Sequence, residues 1–163
     1  MISVDLRALV GKFNATCRNG LEQAVGYTLS RGHHNVEIEH LLLKLLDVAN
    51  TDLQALLAHF DIDQGKVAAD LNRTLDRLKT GNTRTPGLSP NLVTLGREAW
   101  ILGSLQFGAR EVRSGHLLAA LVADDTLAPM LREASPQFAD LTADAVRAAL
   151  PRVTAETVEA RAA

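Results

Sequence analysis

The side chains best equipped for chemistry in this 163-residue chain are five histidines and a single cysteine. His33, His34 and His40 stand beside Glu37 and Glu39, a mix that raises a small metal-dependent enzyme as one reading. The spacing is not that of His-Glu-x-x-His on one helical face, and Cys17 has no second thiol to complete a zinc set. Cys17 also lacks a base at readable spacing and falls on the apolar face of its segment, where packing is the ordinary role. No Gly-x-Ser-x-Gly elbow, Gly-x-Gly-x-x-Gly turn or Gly-x-x-x-x-Gly-Lys-Ser/Thr phosphate loop occurs. The acids are scattered over solvated faces. The chain is therefore expected to be non-catalytic, with no catalytic residue and no metal ligand.

A repeat explains the histidines better. Gly32, Val36, His40, Leu41, Leu42 and Leu45 recur as Gly108, Val112, His116, Leu117, Leu118 and Leu121, each 76 positions on. A frame shared over so many positions marks an internal duplication. An equivalent histidine in both copies suits one structural task, hydrogen bonding at the first turn of a helix.

The elements that hold these residues read as helices. The composition is 47% hydrophobic, 22% charged and only 4% aromatic, so a core must be built from Leu, Val and Ala, which favours helix over strand. The first segment, 3–11, has Leu6, Leu9, Val10 and Phe13 at i, i+3, i+4, i+7 with Ser3 as cap. It is too short to be helical alone and must lie on something. A second helix runs from cap Asn14 to Arg31 with Gly32 as its stop, and a third from Glu37 to Asn50. Thr51 opens a short helix, and Asp63 caps another that reaches about Thr80. Residues 81–87 form a linker. Ser89-Pro90 is a strong helix start for Pro90 to Phe107, stopped by Gly108. Ser114 is expected to cap the next helix, with short helices at 127–131 and 141–150. From Pro151 onward the chain reads as a linker leading out.

The expected fold is all-α: a pseudo-twofold duplicated four-helix unit with an extra N-terminal helix. Its parts are the helix 1–12, repeat one over 13–80, the linker 81–87, repeat two over 88–150 and the exit segment 151–163. Net charge −2 gives no electrostatic reason for nucleic acid or an anionic membrane as partner. A lone cysteine, no secretory signal and no window near the ~20 apolar residues of a spanning helix fit a cytoplasmic protein.

The helix from Pro90 to Phe107 is apolar on two sides. Carrying the first repeat across the 76-residue offset places Val93, Trp100, Ile101 and Leu105 inside. Leu92, Leu95, Ala99 and Leu102 make a second stripe. The N-terminal helix would cover at least part of that stripe. Either it covers the stripe completely and nothing else binds, or a groove remains, walled by Leu6, Leu9, Val10 and Phe13 on one side and Leu88, Leu92 and Leu95 on the other. Asp5, Arg7 and Arg84 would be its rim charges. Such a groove accepts an amphipathic helix from another protein.

The double Gly…Val…His-Leu-Leu…Leu motif, over about residues 14–150, resembles the Clp N-terminal domain of Hsp100 AAA+ unfoldases. That resemblance implies a substrate- or adaptor-recruiting domain of a hexameric ATPase. The extra helix and Arg84-Thr85-Pro86-Gly87-Leu88-Ser89-Pro90 resemble the ClpV branch of bacterial type VI secretion. That branch implies binding of an N-terminal helix of the large sheath subunit, so that contracted sheaths are disassembled and recycled. Neither ATPase module lies within the chain. The resemblance therefore implies no cofactor in this domain, with ATP and Mg held in AAA+ modules of a longer parent. The alternative is the N-domain of a general Clp disaggregase or protease unfoldase, binding unfolded chains or an adaptor.

Overall fold

Side-chain caps start most of the helices. The computed structural model describes residues 5–162. Asn14 accepts the Cys17 amide at the head of α2 (Ala15–Ser30), and Thr51 the Gln54 amide at α4 (Asp52–His59). Asp63 does the same for α5 (Gln64–Leu75), and Ser89, followed by Pro90, for α6 (Pro90–Phe107). Each such cap contributes about 1 kcal/mol. Gly32 and Gly108 stop α2 and α6 at φ 69° and 62°, left-handed values that a side chain would strain.

Several boundaries differ from expectation. The first helix, α1 (Leu6–Gly11), is capped by Asp5, whose carboxylate accepts the Arg7 and Ala8 amides; Ser3 lies outside the described residues. Phe13 is off that helix, in a parallel bridge with Val112. Between α2 and α3 (Ile38–Leu46), residues Asn35–Val36 form a two-residue strand, β1, and α3 itself ends before Asn50. α5 ends at Leu75 because the Arg77 and Leu78 amides turn back to the Thr74 and Leu75 carbonyls, a tightened i→i−3 turn that closes the helix. Ser114 is the first residue of α7 (Ser114–Ala123) and not its cap; Arg113 precedes it.

The second half continues with α8 (Leu127–Ala134), a 3₁₀ turn at Pro136–Phe138 and α9 (Ala143–Val153). α2, α3, α4 and α5 correspond to α6, α7, α8 and α9. The halves interlock: α4 packs on α7 and α9, and α8 packs on α5. Two short parallel pairings stitch them together. β1 pairs with β2 (Gly87–Leu88) in the register Val36↔Leu88, and Phe13 pairs with Val112. Val36 and Val112 are repeat mates, as are Phe13 and Leu88, so each pairing is the pseudo-twofold image of the other.

The register of α6 corrects the sequence reading. Its buried residues are Leu92, Leu95, Gly96, Ala99, Leu102 and Gly103, whereas Ile101 is 43% and Leu105 79% exposed, and Val93 and Trp100 are half-buried. The buried face of α2, Cys17, Gly20, Leu21, Ala24 and Thr28, maps onto α6 at an offset of 75, not 76. One extra residue sits in α6 between Gly103 and its stop at Gly108. On a helix a shift of one residue rotates the predicted face by about 100°. The second stripe is therefore the core, and the face assigned to the core lies at its margin, half-buried at Val93 and Trp100 and exposed at Ile101 and Leu105.

The C-terminal segment also corrects expectation. Helix α9 continues through Pro151, and α10 (Val158–Arg161) folds back against the domain, with the Val158 amide on the Asn50 carbonyl. Buried Glu159 is the anchor. Its carboxylate accepts the amides of Asp52 and Ser114, each at 2.7 Å, the Ser114 hydroxyl, and Asn14 Nδ2 at 3.0 Å. Two helix N-termini thus converge on one anion, where their dipoles favour it. Apolar periodicity carries no trace of such an anchor, which is why 151–163 reads as a linker. Among the described residues no helix is long and apolar enough to cross a membrane.

Candidate functional site

His33, His40 and His116 are parts of the scaffold. His40 Nδ1 accepts the Glu37 amide at 2.8 Å and His116 Nδ1 the Arg113 amide at 3.0 Å, the same i−3 contact in both repeats. With Nδ1 accepting, the His40 proton sits on Nε2, which donates to His33 Nδ1 at 2.9 Å. No lone pair is left on His40 for a metal. Burial pushes the pKa of His40 and His116 down to about 4, reinforced by His33 and Arg31 beside the first and by Arg113 beside the second. Burial likewise holds the Cys17 thiol well above its usual range, so it stays protonated and inert.

The neutral imidazoles give the fold an acid limit. Their folded pKa lies below the unfolded value of about 6.5, so their contribution is complete above that pH and is lost as pH falls toward 4. Urea unfolding across that window should show stability falling by up to about 1.4 kcal/mol per pH unit for each histidine. A flat profile between about pH 6.5 and 4.5 would contradict the buried-neutral assignment.

The N-terminal helix is the asymmetric element, and a glycine seats it. α1 packs on α6, and a Cβ at Gly96 would meet Phe13 Cζ at 3.2 Å and Leu9 Cδ2 at 3.3 Å. The mate of Gly96 in the first repeat is Leu21, a buried core side chain. Repeat two thus leaves open a place that repeat one fills, and Leu9 and Phe13 occupy it. Lys12 Nζ lies 4.9 Å from the centre of the Trp100 ring, a cation–π contact that pins the end of α1.

Of the expected groove residues, Leu9, Phe13, Leu92 and Leu95 are buried, the last at 0% exposure; Leu9 and Phe13 lie over Gly96, and Leu92 and Leu95 belong to the core face of α6. Leu6 is 44% exposed, and Val10, one turn on, is half-buried against the core, so the apolar edge of α1 is open at Leu6 and closes at Val10. Asp5 and Arg7 are exposed beside it. Leu88 is tied to the first repeat directly and Arg84 through Asn82. Leu88 pairs with Val36, and the Arg84 carbonyl accepts Asn82 Nδ2, which also reaches the His33 carbonyl. Gly96, Lys12 and Trp100 were missed from sequence. The signal that finds them is the 75-residue register, which sets Gly96 opposite Leu21.

The family model described as the Clp repeat N-terminal domain matches residues 12–134. The chain belongs to that family. The AAA+ ATPase ClpV1 of Pseudomonas aeruginosa is 32% identical over 146 residues, which is 90% of this chain and 16% of ClpV1. This Clp repeat N-terminal domain therefore spans under a fifth of that relative's length. Among solved structures, one concerning the coevolution of the ATPase ClpV, the TssB-TssC sheath and the accessory HsiE protein superposes at TM-score 0.91. It is 30% identical and covers 98% of each chain. A complex of a ClpV N-domain with a VipB peptide shares the fold at TM-score 0.80, with 23% identity over 98% of this chain and 97% of that one. The match to the family model begins at residue 12, so α1 lies outside its span.

Proposed function

We propose that this domain recruits substrate for a ClpV-type AAA+ unfoldase by binding an amphipathic helix from the N-terminal region of the type VI sheath large subunit. The observation that carries the reading is α1 itself. It is seated over Gly96 by Leu9 and Phe13 and keeps Leu6 exposed, with Val10 half-buried one turn on. An apolar edge one turn long, with Asp5 and Arg7 beside it, suits the apolar face of an incoming helix. The likeness to ClpV N-domains, one of them solved with a VipB peptide, supports the same reading. ATP hydrolysis, the hexamer and Mg would then belong to the rest of a longer parent, and the domain would work in the bacterial cytoplasm with no cofactor of its own. Its task would be to hold subunits of contracted sheaths for disassembly and reuse.

A bound helix with three or four anchored side chains gains about 1–3 kcal/mol from each, less the cost of ordering the peptide. The expected affinity of the single domain is therefore on the order of micromolar, raised by avidity in a hexamer. Calorimetric titration with a synthetic sheath-subunit N-terminal peptide tests this. Leu6→Asp, on an exposed edge, should leave folding intact and weaken binding at least about tenfold, 1.4 kcal/mol. Unchanged affinity in that variant would remove α1 from the site. Tighter binding to a permanently unfolded polypeptide than to the sheath peptide would favour the general disaggregase reading.

A further inference from the structure

We propose that the flank of α6 facing away from α1 is a second docking surface, fitted to a basic amphipathic helix of another protein. Leu105, at 79%, is the most exposed large apolar side chain among the described residues, and Ile101, one turn earlier on the same edge, is 43% exposed. They border a depression of about 330 Å³ between α6, α7 and α9, walled by Leu102, Ala120 and Ala123.

The duplication supplies an internal control. The corresponding depression of repeat one, about 470 Å³, lies on the matching flank of α2 and α3. There Gly26, Ser30 and Lys44 stand where repeat two has Ile101, Leu105 and Ala120. The scaffold is the same in both halves, so folding does not require apolar residues at these places. In repeat one they are polar or bare; in repeat two all three are apolar, with Ile101 and Leu105 exposed and Ala120 forming the buried floor. An exposed apolar strip that the fold does not need is explained by something that covers it.

Charge selects the occupant. Glu98, Asp124 and Asp125 rim the depression; Glu98 has Arg97 at 3.9 Å and Asp124 accepts the Thr126 and Leu127 amides, while the one lining cation, Arg147, is paired with Asp144, which leaves the rim acidic. A helix with two apolar residues one turn apart and lysines or arginines beside them matches both the strip and the rim. The surface is on the opposite flank of α6 from Gly96 and Trp100, so it stands independently of the α1 reading.

The test uses a synthetic helix of about 16 residues, roughly four turns, carrying two leucines one turn apart flanked by lysines. Titrated into the labelled domain, it should shift amide resonances in 98–106 and 120–125. It should bind at least tenfold more weakly to the Ile101→Ser/Leu105→Ser variant, and the same helix with glutamates for lysines should also be at least tenfold weaker. Equal affinity for the variant would overturn the proposal, as would shifts confined to residues 5–13. Concentration-dependent self-association that Leu105→Ser abolishes would overturn it too, by assigning the face to a second copy of this chain.

Discussion

Arg113→Ala should cost about 3–5 kcal/mol of unfolding free energy, the expected size for stranding one partner of a buried ion pair. Asp52 is 0% exposed, and both its oxygens are held by Arg113, Nε on Oδ2 and Nη2 on Oδ1, each at 2.8 Å. The Thr157 hydroxyl is its other short contact, at 2.6 Å, and cannot neutralise it. The same guanidinium donates to the Thr154 carbonyl at 2.9 Å, so the truncation also loosens the approach to α10. Glu159 lies in the same cluster, where it accepts the Asp52 and Ser114 amides, and would then share it with an unpaired Asp52 carboxylate. Removing Asp52 as well should recover part of the loss, because the unpaired charge then disappears. Urea unfolding of the two single variants and the double gives the cycle. A loss in Arg113→Ala below about 1 kcal/mol, the value of an exposed pair, would contradict the buried-network account.

Gly96→Leu should abolish peptide binding while leaving the two repeats folded. The substitution puts into repeat two the side chain that repeat one carries at the equivalent place, Leu21. A single Cβ there already comes within 3.2 Å of Phe13 and 3.3 Å of Leu9, so the rest of a leucine takes their space. α1 is six residues long and has too few hydrogen bonds to persist without that seat. Overpacking should cost about 1–3 kcal/mol, offset in part by the roughly 1 kcal/mol that leucine gains over glycine inside a helix. Circular dichroism with thermal melting checks folding, and titration with the sheath peptide checks binding. Full affinity in a folded Gly96→Leu domain would show that α1 is not required.

Much of the fold is legible because the duplication repeats its own evidence. Caps at Asn14, Thr51, Asp63 and Ser89 and stops at Gly32 and Gly108 are local chemistry, readable one residue at a time. His40 and His116 are legible for the same reason, since each bonds an amide three residues away. What escapes is set by long-range geometry. The inserted residue near the end of α6 rotates one face against the other, and a His-anchored alignment cannot feel it. The Glu159 anchor joins residues 45 to 145 positions apart, and the carboxylate's worth depends on two helix ends that sequence does not show to converge. In the candidate site, Leu6 and Val10 were readable as apolar periodicity. That Leu95 is wholly buried, and that Leu88 pairs with Val36, follows only from packing.

The central claim is that α1, seated on α6, receives a helix. Amide hydrogen exchange with and without the sheath-subunit peptide measures this directly. The expected result is slowed exchange across α1 and the adjoining turns of α6, with the first repeat unchanged. Protection elsewhere in the domain, with α1 exchanging at its free rate while the peptide is bound, would contradict it.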